Sequence, residues 1–211
     1  VDRNDNIYLT GLTSAGENSD KKDLFLTKFL QNGYQRWIIQ PGFGRTVSAA
    51  TLKINNYNKI LFSAYSNNKN NPAVIIGNYS FDGEKISSKT TMLSGKSRGN
   101  GLTVDDEGNT YVTDASPFDV LKIDGKGRKL WGSELNARFK IGALAADTDN
   151  SIYIAGGINQ LLYDKFKKED SDIFLLKISQ MGPILWRKTY GSTQNESANA
   201  IAIKSNKAVA I

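Results

Sequence analysis

Gly101-Leu102-Thr103-Val104-Asp105-Asp106-Glu107-Gly108-Asn109-Thr110-Tyr111-Val112 decides the fold, because the chain carries this stretch in several versions. It aligns without gaps with Thr51-Leu52-Lys53-Ile54-Asn55-Asn56-Tyr57-Asn58-Lys59-Ile60-Leu61-Phe62 and with Ala143-Leu144-Ala145-Ala146-Asp147-Thr148-Asp149-Asn150-Ser151-Ile152-Tyr153-Ile154. A truncated copy opens the chain as Val1-Asp2-Arg3-Asn4-Asp5-Asn6-Ile7-Tyr8-Leu9, and a fifth begins at Ala200-Ile201-Ala202-Ile203-Lys204. The positions equivalent to Asp105 are Asp2, Asn55, Asp147 and Lys204, with spacings of 53, 50, 42 and 57. Such spacings fall near the roughly 40–50 residues of a propeller blade. The approximate repeats are 1–48, 49–99, 100–142 and 143–197, with a partial 198–211.

The second half of the repeat recurs too. Asp23-Leu24-Phe25-Leu26-Thr27-Lys28 matches Asp172-Ile173-Phe174-Leu175-Leu176-Lys177, and Phe118-Asp119-Val120-Leu121-Lys122 is a shorter relative. Each Lys is followed five residues later by glycine (Gly33, Gly127, Gly182), then four residues later by tryptophan (Trp37, Trp131, Trp186). The second repeat keeps Gly83 but has Asn78 for the Lys and Ser87 for the Trp.

Each unit reads as four short strands. A small apolar strand leads into an Asp/Asn/Gly turn, where Gly or Asn supplies the positive φ of a tight hairpin. A β-branched and aromatic strand such as Thr110-Tyr111-Val112-Thr113 follows. The third strand is the apolar run at the Lys, and a glycine turn leads to the Trp-bearing fourth. No segment shows a capped 3.6-residue apolar period. The expected fold is therefore all-β: a β-propeller of four-stranded antiparallel blades, about four of them plus partial blades at the ends. Ala49, Ala50, Gly101, Ala143, Ala145, Ala146, Ala198, Ala200 and Ala202 fall in or beside first strands, where converging blades leave little room. A parallel β-helix, the competing repeat fold, would need shorter rungs and no hairpins. Val1-Asp2 matches the tail of a first strand, and Ala208–Ile211 matches a second strand already present at the start. That duplication predicts a window from a longer chain.

Apolar-Ala-x-Asp-x-x-Gly-Asn-x-Tyr, then Asp-hydrophobic-Phe-Leu-x-Lys, then Gly-x-x-x-Trp, resembles the bacterial β-propeller repeat called SBBP. The likeness is best over 143–191, good at 1–37 and 101–131, and weakest at 49–99. The Gly-x-x-x-Trp strand is also similar to the quinoprotein-type propeller repeat. The resemblance implies a propeller in a bacterial surface or secreted, hence extracytoplasmic, protein, and it implies no shared reaction.

Composition narrows the chemistry. The 211 residues include no Cys and no His. That excludes disulfides, thiol catalysis, Cys/His zinc sites, Ser-His-Asp triads and histidine pH switches. Carboxylate chemistry, oxygen-ligated metals and binding remain. No run approaches the ~20 apolar residues of a membrane span. There are 27 Lys+Arg against 21 Asp+Glu, a net charge of +6. Residues 24–104 hold ten basic and two acidic residues, so the first two repeats carry the positive charge. A patch there would attract acidic glycans, nucleic acid or an anionic surface; the charges do not cluster in sequence and lack the aromatic interleaving of nucleic-acid readers, which favours scatter over both faces of two blades.

Trp37, Trp131 and Trp186 could be platforms for sugar or quinone rings. Their shared repeat position favours packing between blades. Lys28, Lys122 and Lys177 could line a polar surface that meets a ligand, but they read more simply as solvated charges that blunt a strand face. The turns at Asp2, Asp105 and Asp147 suggest calcium, but they lack the bidentate final carboxylate of a calcium loop and read as Asx turns. Asp105, Asp106, Glu107, Asp147 and Asp149 are the carboxylates available for hydrolysis or lyase chemistry, all in turns and without a His base. Asn78-Tyr79-Ser80 and Asn195-Glu196-Ser197 match the glycosylation sequon. Ser66–Pro72 and the Gln160–Asp170 insertion are the variable loops. The function expected is a non-catalytic scaffold binding a protein or glycan through rim loops, with no cofactor and no assigned catalytic or metal residue. The alternative is a propeller domain of a quinoprotein-like or polysaccharide-cleaving enzyme, which would show unique polar residues on its inner strands.

Overall fold

A computed structural model shows an all-β chain. The structure describes residues 1–14, 22–43, 46–55, 57–66, 68, 71–94, 97, 101–115, 118–135, 139–159, 171–204 and 207–210. The Gln160–Asp170 insertion and Asn67, Lys69 and Asn70 of Ser66–Pro72 lie outside these residues, as do Arg45, Lys96 and Arg98 of the basic stretch. The chain divides into two compact units, Val1–Leu130 and Trp131–Ile211.

The strands form β-propeller blades, antiparallel meanders in chain order. The first sheet holds β1 (Ile7–Ser14), β2 (Lys22–Phe29) and β3 (Gln35–Ile39), which are second, third and fourth strands of the repeat. The next is complete: β4 (Ala49–Ile54), β5 (Lys59–Ser66), β6 (Ala73–Ser80) and β7 (Lys85–Met92). Then come β8 (Leu102–Val104), β9 (Thr110–Ala115), β10 (Phe118–Ile123) and β11 (Lys129–Ser133). The fourth sheet is β12 (Phe139–Ala146), β13 (Ile152–Asn159), β14 (Ser171–Ile178) and β15 (Ile184–Tyr190). A hairpin of β16 (Ile201–Lys204) and β17 (Lys207–Ala210) follows.

Alternation along the strands builds the core of the first unit. Side chains on a strand point to opposite faces in turn. Ile60, Phe62 and Ala64 of β5 join Tyr8, Leu24 and Leu26 in one apolar cluster. Tyr65 of β5, with Val74 and Ile76 of β6, joins Val112, Leu121 and Ile123 in another. The sheet β4–β7 is thus apolar on both faces, which explains why β5 and β6 lack any polar stripe. In the second unit, Ile152, Ile154, Phe174, Leu176 and Ile178 are buried, and Phe139 and Phe174 pack with ring centroids 4.4 Å apart.

Tight turns of two kinds recur at one end of each of the first four sheets. The turns joining first to second strands close with the same pair of backbone bonds, as in Asp105 N–H to Asn109 O (3.0 Å) and Gly108 N–H to Asp105 O (3.1 Å). The positive-φ position is Asp5, Asn58, Gly108 or Asn150, with φ of 57, 56, 84 and 58°. Asn and Asp tolerate this region better than other non-glycine residues. The turns joining third to fourth strands place Gly33, Gly83, Gly127 and Gly182 at φ between 84 and 107°. A bulge accompanies three of them, at Lys28/Phe29, Asn78/Tyr79 and Lys177/Ile178.

Candidate functional site

The recurrent Asp belongs to the turn that follows it. Asp105 Oδ1 accepts the N–H groups of Glu107 (3.1 Å) and Asn109 (2.8 Å), and Oδ2 accepts Asn109 Nδ2 (2.8 Å) and the Tyr111 hydroxyl (3.1 Å). Asp2 does the same with Asn4, Asn6 and Tyr8. At Asn55 the side-chain oxygen still takes the two N–H groups, from Tyr57 and Lys59, each at 3.0 Å. At Asp2, Asn55 and Asp105 these are Asx turns whose side-chain oxygens accept turn N–H groups. Asp147 departs: its Oδ1 accepts the Thr148 N–H at 2.7 Å, and Asp149 takes the Ser151 N–H instead at 2.9 Å. The buried Asp147 Oδ2 accepts no hydrogen bond among the described residues and lies 3.6 Å from Lys177 Nζ. Burial works against the Asp2 carboxylate, but the hydrogen bonds from Asn6, Asn4 and Tyr8 outweigh it and lower its pKa to about 2.

The lysines correct the sequence reading. Lys28 and Lys122 are not solvated; their exposures are 9% and 5%. Each Lys faces a Tyr directly across the sheet: Lys28 and Tyr8, Lys122 and Tyr111, Lys177 and Tyr153. The ammonium stands over the phenol ring at 5.2, 5.0 and 4.9 Å. Lys122 lies 3.8 Å from Asp105 Oδ2, and Lys177 lies 3.6 Å from Asp147 and 3.2 Å from Asp149. Cation–π contact and the carboxylate together make the buried ammonium tolerable. The missed signal was a Tyr six residues after each recurrent Asp, in register with the Lys.

The tryptophans form joints. The Trp37 indole N–H donates to the Phe81 carbonyl at 3.1 Å, and Lys28 Nζ reaches the same oxygen at 3.3 Å. A Cβ on Gly83 would lie 3.2 Å from the Trp37 ring, tighter than an ordinary contact, so a larger residue would press on the indole. In the second unit the Trp131 N–H donates to Gln180 O at 2.9 Å, and a Cβ on Gly182 would lie 3.3 Å from the ring. Trp186 instead packs edge-on against Tyr153, 5.7 Å between centroids.

The second repeat replaces the whole set. Leu61, Asn78 and Ser87 occupy one cross-strand row where the first repeat has Tyr8, Lys28 and Trp37. Asn78 Nδ2 donates to Ser87 Oγ at 3.1 Å, so this sequon lies inside a sheet. Thr91 takes over the glycine turn, donating to Gly127 O at 2.7 Å. Lys53, a charged residue on an inner strand, pairs with Asp106 at 3.0 Å. In the other sequon, Asn195 is exposed and its side-chain oxygen accepts the Ser171 N–H.

Of the basic stretch, Arg36, Lys85 and Lys89 are exposed on the fourth strands β3 and β7. Fourth strands carry no Asp or Glu in any sheet, and β15 adds exposed Arg187 and Lys188. Such charges on an edge oppose pairing with another edge.

A cleft of about 230 Å³ opens in the first unit where three tight turns meet. Asp2 and Arg3 come from one turn, Asn55 and Asn58 from the second, and Phe81 from the third. Tyr57, beside Asn58, is 79% exposed. Its repeat equivalents are Asn4, Glu107 and Asp149, so an aromatic at this position is peculiar to the second repeat. The cleft lining therefore combines an ionised carboxylate, a guanidinium and two amides, with an exposed phenol one residue away in sequence.

No family model and no curated protein matches the sequence. Among solved structures, puromycin hydrolase is similar at 12% identity with a TM-score of 0.59, over 97% of this chain and 32% of that one. The chain thus spans about a third of that enzyme's length, and the likeness shows the fold. A protein of unknown function from Bacteroides caccae matches at 13% identity and a TM-score of 0.45, over 80% and 76% of the two chains. Virginiamycin B lyase from Staphylococcus aureus matches at 15% identity and a TM-score of 0.41, over 87% and 74%.

Proposed function

We propose that this chain is a non-catalytic β-propeller scaffold of SBBP type, part of a bacterial surface or secreted protein, and that it binds a glycan at the tight-turn cleft. The supporting observation is where the chain departs from its own repeat. The recurrent polar residues Asp105, Tyr111 and Lys122 are engaged with one another inside the sheet. Of the departures, Arg3 lines the cleft, and Tyr57 precedes the lining residue Asn58 in sequence. An exposed phenol beside amides and a guanidinium suits a sugar, whose apolar face stacks while its hydroxyls take the hydrogen bonds. Asp2, with its pKa near 2, is ionised at neutral pH and so is no proton donor; its oxygens are taken by Asn4, Asn6 and Tyr8, which leaves the sugar hydroxyls to Arg3 and the Asn58 amide.

The test is binding to an array of bacterial and host polysaccharides. Tyr57→Ala should weaken retention about tenfold, which is ~1.4 kcal/mol. Asn58→Gly, which keeps the positive φ and removes the amide, should weaken it too. Both variants should keep the wild-type melting temperature. Unchanged retention in both would move the ligand away from this cleft.

A further inference from the structure

The turns joining third to fourth strands differ in what caps them. In two of them the residue three before the glycine accepts the N–H just after the glycine. Glu84 N–H donates to Ser80 Oγ at 3.1 Å, and Arg128 N–H to Asp124 Oδ1 at 2.8 Å. The first repeat has Leu30 at this position, whose side chain has no acceptor. The equivalent N–H, that of Tyr34, goes instead to Asn32 Oδ1 at 3.1 Å. This Asx bond folds the Asn32 carboxamide back over the Asn32–Gly33 peptide.

The residue before the glycine is Asn32, Asp82, Lys126 or Met181 in the four turns. Of these, only Asn32 offers an amide carbon to the next backbone nitrogen, with ammonia as its leaving group. Gly33 brings no side chain to hinder the approach, and even an added Cβ there would meet nothing within 4 Å. Asn32, Gly33 and Tyr34 are all exposed to water. The Gly83 turn, by contrast, is packed against the Trp37 ring.

We propose that Asn32 is a site of self-modification, losing its side-chain amide through a cyclic imide formed with Gly33. The Gly33 nitrogen gives its proton to hydroxide and attacks Asn32 Cγ. The new C–N bond closes a five-membered ring while the Cγ–Nδ2 bond breaks, and Nδ2 leaves as ammonia with a proton from water. Water then opens the ring at either carbonyl and leaves aspartate or isoaspartate at position 32. The bond from Gly33 N–H to Leu30 O (2.9 Å) must open first, so the reaction runs through an opened turn. The aspartate product fits the fold, because Asp82 stands at this place in the second repeat's turn. The modification lowers the net charge of +6 by one and leaves the hairpin in place. It involves no residue of the cleft, so it stands independently of the glycan reading.

Peptide mapping tests it. The full chain is held folded at neutral and at raised pH and then cut with trypsin. The peptide Phe29–Arg36 contains Asn32 as its one asparagine. It should gain about 1 Da, split into an aspartate and an isoaspartate form, and convert faster as hydroxide rises. Fragment ions should place the change at position 32 and not at Gln31 or Gln35. Leu30→Ser restores the cap of the second repeat and releases the Asn32 side chain, so it should slow the conversion severalfold with unchanged circular dichroism. Asn32→Asp should keep the wild-type urea midpoint. A peptide that holds its mass at raised pH would overturn the proposal. So would conversion that is equally fast in Leu30→Ser.

Discussion

Lys122 stands directly opposite Tyr111 across β9 and β10, with its ammonium 5.0 Å above the phenol ring. The Tyr111 hydroxyl donates to Asp105, whose carboxylate lies 3.8 Å from the same ammonium. Three buried polar groups therefore satisfy one another, and removing one strands the rest. Lys122→Ala should cost about 3 kcal/mol, because it leaves the Asp105 charge buried with less compensation. The second repeat supplies the control, since Asn55, Leu61 and Asn78 fill the same three positions. Asp105→Asn, Tyr111→Leu and Lys122→Asn combined should cost less than Lys122→Ala alone. Urea unfolding midpoints compare them; a triple variant weaker than the single one would show that the groups do not act as a unit.

Gly83 and Gly33 separate the cost of a turn from the cost of a joint. Both lie in equivalent turns, at φ of +86 and +84°. Alanine at either should lose about 1 kcal/mol to the left-handed conformation. Only at Gly83 does the added Cβ also press on an indole, at 3.2 Å from Trp37. Gly83→Ala should therefore be the more destabilising by about 1 kcal/mol in urea titrations of dilute protein. In a Trp37→Ala background that excess should vanish. Equal costs in the wild-type background would show that the joint gives way freely.

Much of the fold was legible because repetition multiplies weak signals. A single Asp–Gly–Asn turn predicts a hairpin; the same turn at four matched positions predicts a blade. The Lys–Gly–Trp spacing placed Trp37 and Trp131 between strands and turns far apart in sequence, as observed. The lysines were misread because a charged residue on an alternating strand normally faces water. Here the opposite residue is a Tyr, and cross-strand register is not written in linear spacing: Tyr and Lys are 20 residues apart at Tyr8 and Lys28, but 11 apart at Tyr111 and Lys122. The cleft was illegible for a related reason. It draws single residues from three turns, and each of those turns taken alone reads as ordinary hairpin chemistry.

Acid should unfold the chain through its turn carboxylates. Asp2 is held at about 2 against an ordinary 3.8, since its hydrogen bonds from Asn6, Asn4 and Tyr8 outweigh the burial that opposes them. Asp124 and Asp149 are also lowered against burial: Asp124 by its bonds from Arg128 and Lys126, Asp149 by those from Ser151 and Lys177. The folded chain thus binds fewer protons than the unfolded chain between about pH 2 and 4, and stability rises with pH across that window. The contribution is complete above about 3.8 and is lost as pH falls through the folded values. Asp2→Asn should keep the turn, as Asn55 does, and flatten the acid limb by about 1–2 kcal/mol. At the other extreme, burial raises the Tyr8 and Tyr79 hydroxyls above 10. The folded chain there holds protons that the unfolded chain releases, so stability should fall as pH rises past 10. Urea midpoints measured from pH 2 to 11 should trace a plateau with both limbs. An acid limb as steep in Asp2→Asn as in the wild type would show that Asp2 does not carry its share.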